Sequence, residues 1–247
     1  MTNVTGRVEV ASVEGHSRNI VGYVWSTISY GNSLNQKLVG PFLHKGLKRS
    51  EIGLYKAVVL VNRLNVFWGL DWQAVPKNFE KGTRTSEAHI VIGCVDTRAA
   101  RALIRNGTSD CNSVDYWLDI GNNADSGQFV LGEPLNETNR RSRMRLRTVA
   151  ELYPEIADAE LDNDGLPSCS AAEALERQEP FVNSTLAQHA LALLARLFRY
   201  GMVSYHGGFI NLSTGSTGRL SVDPSMWKFI RRHSRERMTL RADGHAA

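Results

Sequence analysis

With 247 residues, 42% apolar and 22% charged, the chain is long enough to bury a substantial core unaided, and its composition excludes a disordered or fibrous protein. No apolar run approaches the roughly 20 residues that span a bilayer, and the start lacks the basic, apolar and small-residue succession of a secretory signal. The net charge of +4 is mild, and Cys94, Cys111 and Cys169 form no C-x-x-C pair, which indicates a reducing cytoplasm and disfavours a thiolate zinc site.

Residues 1–49 remain unassigned. "NIVGYVWSTISYG" suits one strand or two, and glycines stand at 6, 15, 22 and 31, yet no G-x-G-x-x-G follows an apolar strand, as a nucleotide-binding βα unit requires. "SEIGLYKAVVLVNRLNVF" predicts a helix starting near Ser50 or Gly53, with an apolar face through Leu60, Leu64 and Phe67. "HIVIGCVD" reads as a buried parallel strand. "TRAARALIRNG" follows as a helix stopped by Asn106 and Gly107. "YWLDIGNN" and "GQFVLGE" give strand, turn and strand.

The span 135–166 is polar, basic then acidic, and is expected to cross between layers. "SAAEALERQ" and "NSTLAQHALALLARLFRYG" predict two helices, the second capped by Asn183 or Ser184 and closed by Gly201. "VSYHGGFINLSTGSTGRLSVDP" alternates like a hairpin, with "YHGG" as a strand-end turn. Strands alternating with helices point to one α/β layered domain. Its stretches are 1–49, unassigned; 50–134, the remainder of a nucleotide-binding half; 135–169, a crossover; and 170–247, C-terminal helices and hairpin. The arginine-rich runs at 139–147 and 228–241 are expected to be a solvated loop and a frayed tail. The first carries no aromatic and the second only Phe229, so base stacking and nucleic-acid binding are disfavoured.

Three residues invite chemistry. Asp96 ends a strand and precedes a helix, beside Thr97; a carboxylate there either holds phosphate-bound Mg²⁺ or simply caps the helix. Lys56 lies near a helix start, where a cation is unfavourable unless an anion is close; the alternative is a solvated side chain. Cys169 precedes a capping box, Ser170 with Glu173. The helix dipole there would favour a thiolate, against the alternative of an inert packed thiol. Cys94 reads as core, and Cys111 as a loop residue with nothing to activate it. The seven histidines show no metal spacing, and no G-x-S-x-G elbow occurs.

Together, "EIGLYKAVVLVNRLN", "HIVIGCVDTRAAR", "YWLDIGNNADSGQFVLGE" and "PSCSAAEALERQEPF" resemble, in order, the ThiF/MoeB-like adenylating enzymes related to ubiquitin activators. More narrowly they resemble the ThiF-like proteins of the bacterial PRTRC cassette, over residues 50–227. The resemblance implies a Rossmann-like doubly wound sheet of the ThiF/MoeB type whose N-terminal βα unit is missing or divergent, through replacement, truncation or a shifted reading frame. It implies ATP-dependent adenylation of the C-terminal carboxylate of a ubiquitin-like protein of the same cassette, with ATP and Mg²⁺ as cofactors and no zinc. Lys56 matches the lysine that contacts phosphates, and Asp96 the aspartate that holds magnesium. Thr97, which stands where the family usually has asparagine, is expected to join Lys56 and Asp96 in binding the nucleotide, and Arg101 matches a structural arginine. Cys169 matches the thioester cysteine of ubiquitin activators. His44 stands in the register of the family's upstream arginine. A homodimer is implied by the same resemblance, whereas the cytoplasmic location and the absence of membrane contact are expected from cysteine usage and from the lack of an apolar span. Loss of the glycine-rich loop leaves a second expectation, a non-catalytic partner of a ubiquitin-like protein or of a complete homologue.

Overall fold

A computed structural model describes residues 2–10, 20–28, 56–75, 88–95, 97–162 and 179–244. Its strands are β1 (Thr2–Val10), β2 (Ile20–Ile28), β3 (Gln73–Val75), β4 (Ile90–Cys94), β5 (Tyr116–Asn122), β6 (Ser126–Gly132), β7 (Tyr205–Asn211) and β8 (Ser216–Ser221). Its α-helices are α1 (Lys56–Trp68), α2 (Arg98–Ser109), α3 (Val149–Leu152), α4 (Val182–Tyr200) and α5 (Pro224–Gly244). The strands form one mixed sheet in the order β3-β1-β2-β4-β5-β6-β7-β8. β4 is parallel to both β2 and β5, and the other pairings are antiparallel. This α/β architecture is compatible with a Rossmann-like arrangement. None of the described helices is long and apolar enough to cross a membrane.

The apolar "IVIGC" of β4 is uninterrupted because the sheet is covered on both sides. Gln128 bonds to Asp119, which pairs with Arg101 of α2, whereas the next residue, Phe129, stacks on His189 of α4 at 5.9 Å. Consecutive strand residues point to opposite faces, so α2 and α4 lie on opposite sides of the sheet. Between them Trp117, Leu118, Leu131 and Leu193 are wholly buried.

The unassigned N-terminal stretch contributes β1 and β2 to this same sheet. They pair antiparallel from Thr2–Ile28 to Val10–Ile20. The nine residues between them are too few for a crossover helix, so β1 and β2 are not a βα unit.

Several expectations need correction. The helix starts at Ser50 and Gly53 are not among them, because both lie outside the described residues, which take up α1 at Lys56. The face of α1 carrying Phe67 is not inward: Phe67 is 77% exposed, and Val59 and Val61 are the buried residues. α1 sits over β1 and the three-residue β3 at the sheet edge, too little surface to cover four turns. Asn65 then folds the chain back by donating to the Trp72 carbonyl and accepting from its N–H.

α2 does not stop at Asn106–Gly107 but runs to Ser109. Packing of Ile104 and Thr108, both wholly buried, outweighs the roughly 1 kcal/mol helix cost of a glycine. α4 is capped by neither Asn183 nor Ser184. Its N-cap is Phe181 at φ 72°, and the Ser184 hydroxyl donates to the Phe181 carbonyl. Gly201, at φ 68°, closes the helix as expected, its N–H reaching the Leu197 carbonyl.

"YHGG" is no turn. It lies inside β7, where the wholly buried His206 donates from Nδ1 to the Leu131 carbonyl and accepts at Nε2 from Trp227. The basic run 139–147 is a solvated loop only over 140–144. Arg145 is buried and forks onto both oxygens of Glu151 at 2.5 and 2.8 Å while donating to the Glu133 carbonyl. Buried Asn136 and Asn139 bond to the carbonyls of Val114 and its neighbours. The run 228–241 belongs to α5 and is helical, because Trp227, Ile230 and Ser234 recur on one inward stripe.

Candidate functional site

The parallel unit β4–α2–β5 brings the carboxyl end of β4 to the head of α2, the place where open α/β sheets receive ligands. Thr97 is the helix N-cap: its backbone is extended and its Oγ1 accepts from the Ala100 N–H at 3.2 Å. The next two amides are also taken. The Arg98 N–H donates to Asp162 Oδ1 at 3.0 Å and the Ala99 N–H to Asp162 Oδ2 at 2.8 Å. The Arg98 guanidinium adds a bond to the Leu161 carbonyl at 2.6 Å. Asp162 ends a short 3₁₀ turn, Ala159–Asp162, so the polar crossing segment delivers one carboxylate to the positive end of the helix. The head of α2 is therefore an anion site that the chain fills with its own side chain.

A buried charge pair lies one turn deeper. Arg101 Nε donates to Asp119 Oδ1 at 3.1 Å, and both side chains are almost wholly buried. Burial pushes the Asp119 carboxyl above its usual range, opposed by the Arg101 charge and by hydrogen bonds from Arg101 and Gln128. Gly121 makes room for the arginine, since a side chain there would strike the guanidinium and the Gln128 amide. Burial, and then the Asp119 charge, push the nearby Cys94 thiol up to about 12. That thiol is protonated at neutral pH and unsuited to nucleophilic attack. Trp117 Nε1, buried without a hydrogen-bond partner, faces the gap left by the missing side chain of Gly93.

Of the residues singled out from the sequence, Thr97 is at the head of α2, as a cap. Asp96 precedes it in the chain but lies outside the described residues, as do Cys169, with its capping box, and His44. Lys56 begins α1, and its side chain lies outside the described residues. Among the described residues, no group of three or more His, Cys, Asp or Glu could hold a metal ion. A magnesium ion carried on nucleotide phosphates needs only one or two protein carboxylates, the role the resemblance assigns to Asp96. Cys111 is partly buried, with Sγ 3.1 Å from the Ser113 hydroxyl.

Sequence reasoning missed Asp162 and Asp119. An acid inside the apolar "YWLDIG" was a signal for a buried partner. Nothing local marks Asp162, which bonds 63 and 64 residues away in sequence. The chain matches no family model and no curated protein.

Proposed function

We propose that the chain activates the C-terminal carboxylate of a ubiquitin-like protein by ATP-dependent adenylation. The observation that carries this reading is the parallel β4–α2–β5 unit, with the Asp96–Thr97 step of the sequence leading into the head of α2. The four motifs that resemble ThiF/MoeB-like enzymes support it independently. In this reading Lys56 neutralises the phosphates and Asp96 holds the magnesium ion. The substrate carboxylate attacks the α-phosphorus, forming an acyl-adenylate and releasing pyrophosphate, with positioning and charge neutralisation supplying most of the rate. Cys169, as a thiolate, then displaces AMP to form a thioester. Thr97 orients the helix head through the bond its hydroxyl oxygen accepts from Ala100, and its O–H remains to donate to a phosphate oxygen.

The test is ATP–pyrophosphate exchange by the intact chain with the ubiquitin-like protein of its own cassette. Exchange that depends on that protein and disappears in Asp96→Ala is expected; none, under conditions where a complete ThiF-like enzyme exchanges, overturns the reading.

Two observations favour a second reading, a non-catalytic binding partner. Phosphates cannot use the first amides of α2 while Asp162 holds them, and β1–β2 is an antiparallel pair. This reading predicts binding of the ubiquitin-like protein that is unchanged by ATP and by Asp96→Ala.

A further inference from the structure

We infer that the outer face of α5 binds the phosphate backbone of duplex nucleic acid without reading its sequence. α5 holds six lysines and arginines against two acids, an excess equal to the whole net charge of +4, so the rest of the chain is balanced. Lys228, Arg231, Arg232 and Arg235 recur at helical spacing beside the inward stripe of Trp227, Ser234 and the half-buried Ile230. They line one open groove of about 740 Å³ together with Glu236 and Thr239. Only Arg232 has an acidic partner among the described residues, an exposed 3.6 Å pair with Glu236; Lys228, Arg231 and Arg235 have none.

The composition of the stripe decides between partners. A protein interface needs an apolar or aromatic centre and is depleted in lysine, and these four positions offer neither an aliphatic nor an aromatic side chain. Phosphate oxygens need only charge and the donor fork of arginine. Seven residues of helix span about 10 Å, a length that meets about three or four phosphates spaced 3.4 Å along the axis of one strand. The one aromatic within the run, Phe229, is not among the residues that line the groove and packs its ring on His233 at 4.0 Å, which leaves the stripe itself to contact with the phosphate backbone. The site lies on a different element from the head of α2, and it stands or falls separately from adenylation.

The test is fluorescence anisotropy of a labelled duplex of about 20 base pairs with the full chain, over about 50 to 200 mM KCl. Binding should be equal for unrelated sequences, with a slope of log K against log salt of about −3.6 for four neutralised phosphates. Lys228→Gln with Arg235→Gln should halve that slope, and Lys228→Glu with Arg235→Glu should abolish binding, each with an unchanged thermal melt. Three results would overturn the inference: no duplex binding at the lowest salt, an unchanged slope in the double glutamine variant, or displacement by poly-glutamate at equal charge concentration. The last would mark α5 as a site for an acidic protein surface.

Discussion

The arginines of the central layers and those of α5 are the same residue put to opposite uses. Arg101 and Arg145 are buried, each locked to a carboxylate with little freedom, while Lys228, Arg232 and Arg235 stand in solvent on a helix of excess positive charge. In the interior a guanidinium is tolerated only where its charge is met by geometry, because desolvation costs several kcal/mol per ion. On α5 the same group costs almost nothing and is left available for a partner. Burial, and not residue type, separates the two regions.

The sharpest way to break the comparison is Asp119→Ala. It strands the Arg101 charge beside Gln128 and should cost about 3–5 kcal/mol in urea denaturation. Replacing the pair together, Arg101→Met with Asp119→Leu, should restore most of that loss; a single substitution costing under about 1 kcal/mol would mean that Arg101 reaches water. Arg145→Ala removes a two-oxygen fork and the bond to the Glu133 carbonyl, and should cost about 2–3 kcal/mol.

Much of the architecture was legible because its signals are local. The apolar run of β4, the two hairpins and the glycine that ends α4 are each encoded within a few residues. What was illegible depends on partners distant in sequence. The run around Arg145 looks solvated until Glu151 and the Glu133 carbonyl are seen to enclose it. His206 looks like a turn residue until Trp227 and Leu131 satisfy both ring nitrogens. The inward stripe of α5 is thin, a tryptophan, an isoleucine and a serine, so its charges masked it as a tail. At the head of α2, the sequence pointed to the strand–helix junction but not to the carboxylate that fills it.

Acid titration should separate the two regions further. Burial pushes the His206 imidazole below its ordinary range, against the bond to the Leu131 carbonyl. The unfolded state therefore binds this proton first, so stability is full above the unfolded value of about 6.5. It declines as pH falls from there to the folded value, and His206→Phe should remove that step from a stability–pH curve. A second loss should follow at lower pH from Glu151. Burial there works to raise the carboxyl, but hydrogen bonds from Arg145 and the Thr148 N–H, with the charges of Arg145 and Arg147, draw it below its usual range. Its contribution is present above the unfolded value and lost as pH falls through the folded one. No such acid step should come from the cations of α5.

Asp162→Ala frees two helix amides and should cost about 1 kcal/mol, with faster hydrogen exchange at Arg98 and Ala99. The smallest effect belongs to Lys228→Gln with Arg235→Gln, within about 0.5 kcal/mol of the parent. A larger loss would show that α5 spends its charges on the fold.

The central claim, that the carboxyl end of β4 receives a magnesium nucleotide, is tested most directly by calorimetric titration of Mg-ATP into the intact chain and into Asp96→Ala. The account predicts saturable binding by the parent, lost on substitution while the thermal melt of the free protein is retained. No binding by the parent, or equal affinity in both, would contradict it.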